Sequence, residues 1–141
     1  MARVQIELPE QFHFSIEIPI RVGDINKADH LGNDALIGFI NEAWIQFMHH
    51  KELSTFEVNG LGFVMADIAV IYQSEGFYGE TLRVDVAPDN LHQYGCDIVY
   101  RVTEVRSSRP VAKAKTALMM MDYNTRMPAN PPETLKTRLF S

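Results

Sequence analysis

The stretch RVGDINKADHLGND, Arg21 to Asp34, runs without a break into DALIGFINEAWIQFMHH, Asp34 to His50. The first part crowds acids, amides, a lysine and a histidine between two apolar segments. The second places Leu36, Ile37, Phe39, Ile40, Ala43, Trp44, Phe47 and Met48 at spacings of three and four, which predicts a helix of about 17 residues, roughly 25 Å long. Asn33 or Asp34 is expected to cap its first turn by accepting from the free backbone N–H groups there. Apolar residues cover most of its circumference, so a helix wrapped by a sheet is expected.

Both flanks read as that sheet. Upstream, FHFSIEIPIRV sets Phe12, Phe14, Ile16, Ile18, Ile20 and Val22 on one parity and polar residues or Pro19 on the other, a half-buried strand. Pro19 cannot donate to a ladder, which places the strand at an edge or turns that position outward. Downstream, Phe63–Gln73 is an almost continuous apolar run, and Thr81–Ala87 and Tyr94–Glu104 alternate. Arg106–Pro110 has turn composition, so Val111–Asp122 should return as a fifth strand in a hairpin. The tail suggests a short helix starting near Pro132, since proline suits a first helical position. Strand, long helix, then four strands predicts an α+β fold with an antiparallel sheet around one helix.

Composition narrows the function. The 141 residues, 46% hydrophobic, suffice for one domain spanning residues 1–141 with a substantial core. A net charge of -5 argues against nucleic-acid binding by phosphate neutralisation and against attachment to anionic membranes. Cys96 is the single cysteine, so no intrachain disulfide forms. The N-terminus lacks a signal-peptide core, and no apolar run approaches the roughly 18 residues of a membrane span, so a cytoplasmic location is expected. No histidine or cysteine spacing suggests a metal.

IPIRVGDIN, HLGND and FINEAW, in that order, resemble segments of the hotdog fold, and within it of the 4-hydroxybenzoyl-CoA and acyl-CoA thioesterase family. VIYQSEGFYGETLRV and AKAKTALMMMDYNTRMPANPPE match in the same way, so the resemblance covers about Ser15 to Leu139. It implies a five-stranded antiparallel sheet wrapped around one long central helix. It also implies hydrolysis of a fatty or aromatic acyl-CoA thioester, with coenzyme A present only as part of the substrate. Members with an Asp-x-Asp segment generally use its second acid for catalysis, and that position here is Asn26, an amide that is neither nucleophile nor base at neutral pH.

Thioester hydrolysis needs activated water and donors for the developing oxyanion. The unpaired N–H groups and positive pole of a helix N-terminus supply the donors. The backbone near Gly32, Asn33 and Asp34 is the candidate, with Gly32 permitting close approach. The carboxylate is Asp24 first and Glu42 second, with Gly38, Glu42 and Gln46 forming a polar line on an apolar helix. Asn26, His30 and Asn33 would orient water or substrate. Each has a plainer reading: Asp24 caps a turn, His30 is a hydrogen-bonded turn histidine, Asn26 and Asn33 are turn and cap residues, and Glu42 pairs across a subunit boundary. Tyr72 falls at the family's strand-end tyrosine and is assigned to substrate binding. Lys113 and Lys115 share one parity of the fifth strand and, with Arg101 across the hairpin, form a candidate patch for coenzyme A phosphates, equally well read as a solvated sheet face. The resemblance also implies a homodimer or homotetramer, in which paired units cover the open sheet edge and sites lie at the interface. A non-catalytic acyl-CoA or acyl-carrier binding module and an enoyl-thioester hydratase are the competing functions.

Overall fold

The β-branched and aromatic runs form one antiparallel sheet, and the computed structural model describes it over residues 3–53 and 60–141. In chain order the elements are β1 (Phe14–Pro19), a single 3-10 turn (Val22–Asp24), α1 (Asn33–His50), β2 (Leu61–Tyr72), β3 (Thr81–His92), β4 (Gly95–Glu104), β5 (Pro110–Asp122), a two-residue β6 (Met127–Pro128) and α2 (Glu133–Phe140). The sheet order is β1-β3-β4-β5-β2, with β6 added to β5. Pro19 therefore lies on an edge strand, opposite Thr81, where a missing donor costs no ladder bond on the open side. This is the α+β hotdog arrangement, with five long strands and the short β6 that the sequence pattern did not mark.

Alternation decides which face of the sheet meets the helix. Leu82, Val84 and Val86 of β3, Ile98, Tyr100 and Val102 of β4, and Ala112, Ala114 and Leu118 of β5 are all buried. Against them α1 buries Leu36, Phe39, Ile40, Ala43, Phe47 and Met48. Each large side chain so removed from water contributes about 1.5–3 kcal/mol. The opposite helix face is open in the single chain: Gly38, Asn41, Glu42 and Gln46 are exposed. The wrapping expected from the helix's broad apolar cover is thus one-sided.

Local chemistry adjusts several boundaries. The N-cap of α1 is Gly32, and neither Asn33 nor Asp34 makes a capping side-chain hydrogen bond. β3 runs on to His92, past the alternating Thr81–Ala87 segment, because cross-strand pairing with β4 continues through Asp89–Asp97 to His92–Gly95. Gly95 is required by close approach: a Cβ there would stand 2.0 Å from the Leu118 carbonyl oxygen. In β2 the register slips between Met65 and Asp67, leaving Ala66 as a bulge.

Candidate functional site

The polar stretch folds back on itself where β1 hands over to α1. The Asp24 N–H donates to the Arg21 carbonyl, the Asn26 N–H donates to the His30 carbonyl (3.0 Å), and the Gly32 N–H donates to the Asp24 carbonyl (3.0 Å). The Leu31 N–H reaches across to the Gly76 carbonyl at 2.8 Å, joining this turn to the loop after β2. Between the two lies a cavity of about 500 Å³. Asn26, His30, Leu31, Gly32, Asn33 and Leu36 line one side; Tyr72, Gln73, Ser74, Glu75, Gly76 and Val111 line the other.

Several polar groups converge there. The His30 Nδ1 lies 3.1 Å from the Leu31 carbonyl oxygen, which can only accept, so Nδ1 carries a hydrogen and the neutral tautomer this contact selects has its lone pair at Nε2. The Asn26 Oδ1 accepts from the Ala28 N–H at 2.9 Å, leaving the Nδ2 hydrogens for other acceptors. At the start of α1 the Gly32 N–H is already used by Asp24, whereas the N–H groups of Asn33 and Asp34 have no acceptor among the described residues. The expected donor set is thereby reduced from three amides to two. On the facing wall, the half-exposed Tyr72 hydroxyl donates to the Asn33 carbonyl at 3.2 Å. Burial first, and the nearby Asp34 carboxylate second, push the Tyr72 pKa up, so the phenol stays protonated.

The two carboxylates expected to act lie elsewhere. Asp24 is nearly buried, and its Oδ2 accepts from the Arg21 N–H (2.8 Å) while Oδ1 pairs with the Arg21 guanidinium (3.4 Å). Glu42 is exposed on α1 and accepts from Gln46 Nε2 at 2.7 Å. Both line a separate groove of about 470 Å³ with Arg21 and Gly38. The structure therefore brings Asn26, His30, Gly32, Asn33 and Tyr72 into one cavity, and Asp24 with Glu42 into another. Asp34 stands beside the first cavity, its Oδ1 within 2.6 Å of where a Gly32 Cβ would be.

Lys113 and Lys115 pair with Ile71 and Ala69 of β2 and alternate with the buried Ala112 and Ala114. They occupy the sheet face turned away from α1, whereas Tyr72, opposite Ala112, is on the helix face. Arg101 is committed nearby: its Nε donates to Asp85 Oδ2 at 3.1 Å and its guanidinium covers Phe12 at 4.7 Å. Among the described residues no group of three or more histidine, cysteine or acidic side chains is placed to hold a metal. No helix among them is long and apolar enough to cross a membrane.

The loop Gln73–Gly76 supplies much of one wall; the sequence marks it within the family-like segment VIYQSEGFYGETLRV, but not as site residues. Its only local signal is the polar, glycine-containing SEG that ends the apolar run of β2.

Comparison with solved structures places this arrangement. A 1,4-dihydroxy-2-naphthoyl-CoA thioesterase from Synechocystis superposes with a TM-score of 0.83 at 16% identity, covering 89% of this chain and 94% of that one. A DHNA-CoA thioesterase from Staphylococcus aureus gives 0.76 at 17% identity, covering 82% and 78%. A 12:0-ACP thioesterase from Umbellularia californica gives 0.78 at 15% identity, covering 91% of this chain and 50% of that one. Identities this low establish the shared fold alone. Among curated proteins none matches significantly. The sequence pattern of the thioesterase-like superfamily matches residues 20–139, from the end of β1 to the last turn of α2, and the chain therefore belongs to the thioesterase-like superfamily.

Proposed function

We propose that the protein hydrolyses an acyl-CoA thioester to the free acid and coenzyme A at the cavity beside the N-terminus of α1. One observation carries this reading: the His30 imidazole, whose Nδ1 faces a carbonyl so that the neutral ring presents its lone pair at Nε2, and the Asn33 helix amide, without an acceptor among the described residues, border the same cavity, and the Asp34 amide follows directly. In the step we infer, His30 Nε2 takes a proton from water as the hydroxide oxygen bonds to the thioester carbon. The N–H groups of Asn33 and Asp34 hold the resulting oxyanion. Collapse breaks the C–S bond, and the imidazolium returns its proton to the departing thiolate. The Asn26 amide orients the water or the acyl group, and the Tyr72 hydroxyl borders the substrate.

Asp24 and Glu42 take other parts in this reading. Asp24 shapes the turn that carries His30, through its carbonyl and its bonds to Arg21. Glu42 faces the open side of α1, where a second copy of the chain would pack in the homodimer or homotetramer we infer. The outer edge of β2, which pairs with no further strand among the described residues and has Ile68 37% exposed and Tyr72 51% exposed, supports assembly through that strand. Lys113 and Lys115 would meet the coenzyme's phosphates only if it crosses the sheet edge, since they stand on the face opposite the cavity.

The test is thiol release from short, long and aromatic acyl-CoAs, in a Cys96→Ser background that removes the protein's own thiol. Turnover by wild type that persists in Asp24→Asn supports the assignment. Acyl-CoA binding without thiol release would instead identify a binding module, the reading favoured by Glu75 being the single carboxylate on the cavity wall among the described residues. Conversion of an enoyl-CoA without thiol release would identify a hydratase.

A further inference from the structure

Arg109, at the end of the β4–β5 turn, spends its whole guanidinium on one loop. Nη1 donates to Glu80 Oε2 (3.0 Å) and Nη2 to Glu80 Oε1 (2.8 Å), a two-pronged pair, and Nη2 also donates to the Glu75 carbonyl (2.8 Å). Nε donates to the Ser74 hydroxyl (3.2 Å), which itself donates to the Pro110 carbonyl (2.6 Å). Glu80 in turn accepts from the Phe77 N–H (2.9 Å), closing the loop upon itself. Ser74 and Glu75 line the cavity, and the next residue, Gly76, receives the Leu31 N–H from the opposite wall. A Cβ on Gly76 would meet Ile20 Cδ1 at 2.9 Å, so the loop has little room to shift inward.

We propose that Arg109 is a positioning residue that holds the loop from Gln73 to Glu80 as a fixed wall of the cavity and so sets the affinity for substrate. The inference rests on the cavity being the substrate site. It extends that reading to a residue that does not itself line the cavity. The bonds that orient His30, to the Leu31 carbonyl and from the Asn26 N–H, are made within its own turn, which joins the loop through the Leu31 N–H to the Gly76 carbonyl. Loosening the wall therefore weakens binding of the ground state and transition state alike. The expected signature is KM raised about tenfold with kcat held within about threefold. Lysine, a point charge with no planar fork, cannot make the paired bonds to Glu80 while also reaching Ser74 and Glu75, so Arg109→Lys should not restore KM.

The experiment compares wild type, Arg109→Met, Arg109→Lys, Glu80→Gln and Arg109→Met/Glu80→Gln in the acyl-CoA thiol-release assay. Residue-resolved hydrogen exchange is measured on the same proteins. The proposal expects the KM effect in both Arg109 variants and a double variant no worse than Arg109→Met alone. It also expects faster exchange at Phe77 and Leu31, with the amides of β4 unchanged. Unchanged KM, restoration by lysine or additive effects would overturn it where wild type turns over substrate. If wild type releases no thiol from any acyl-CoA, the hydrolase reading fails separately, and unchanged exchange at Phe77 and Leu31 would overturn the clamp by itself.

Discussion

Replacing His30 by glutamine isolates the chemistry assigned to the cavity. Glutamine has comparable reach and can still donate a hydrogen bond to the Leu31 carbonyl, but an amide does not take a proton from water at neutral pH. The backbone should hold its place, because the His30 carbonyl accepts from the Asn26 N–H at 3.0 Å and the next residue is tied to Gly76 at 2.8 Å. The side chain is half-buried rather than part of the core, so the stability change should stay within about 0.5 kcal/mol. A positioned general base contributes roughly 10²–10⁴-fold. At about 1.36 kcal/mol per decade, that is about 3–5 kcal/mol of transition-state stabilisation. The oxyanion donors at Asn33 and Asp34 remain in the variant, so residual turnover above the uncatalysed rate is expected. The assay is steady-state thiol release, with unfolding by urea measured alongside to confirm that the fold is intact. A folded His30→Gln protein with kcat within about threefold of wild type would refute the general-base role and the tautomer argument behind it.

Three further outcomes follow from the same structure. Tyr100 and Thr116 share a fully buried 2.7 Å hydrogen bond, so Tyr100→Phe and Thr116→Val should each cost about 1–3 kcal/mol in urea unfolding while the double variant costs little; additive costs would contradict the pairing. Burial first, and then the Asp97 and Asp89 charges, push the Cys96 thiol up to about 12, so a thiol reagent at neutral pH should label it only after unfolding; rapid labelling of native protein would show that β4 is more open than described. The hydrogen bond from Arg109 leads the effects that hold Glu80 below the ordinary glutamate range. A carboxyl lowered on folding stabilises the native state above its unfolded pKa of about 4.3 and loses that contribution as pH falls through the lowered value. Stability measured from neutral pH downward should therefore fall less steeply in Glu80→Gln than in wild type, and identical slopes would remove Glu80 as a source of acid sensitivity.

Much of this molecule was legible in one dimension because its signals are periodic and local. The three- and four-residue spacing from Leu36 to Met48 marks the buried stripe of α1, and parity along Tyr94–Glu104 and Val111–Asp122 marks the helix-facing side of β4 and β5. Pro19 announced an edge by its missing donor, and RSSRP announced the hairpin. The concentration of Asn26, His30, Gly32 and Asn33 before the helix likewise located one wall of the cavity. The gaps begin where local rules compete. Either Asn33 or Asp34 could cap a helix by composition, yet the chain enters α1 through Gly32, whose N–H is drawn to the Asp24 carbonyl. The two-residue β6 exists because Met127 and Pro128 fall beside Met121 and Asp122, a pairing that no propensity of its own signals.

Direction and partnership across long sequence separations belonged to tertiary structure alone. Asp24 and Asn26 are two residues apart, yet one faces a groove with Glu42 and the other a cavity with His30, because Arg21 captures the Asp24 carboxylate. Lys113 and Lys115 could be set on one strand face from parity, but that this face lies opposite the cavity required the register with β2. The second wall, Tyr72 to Gly76, joins the first through the Leu31–Gly76 hydrogen bond and is braced by Arg109, which lies 29 residues beyond Glu80. Periodicity reports which side of an element avoids water. It carries no record of which distant donor and acceptor will meet, because that depends on how the chain closes its loops around the shared core.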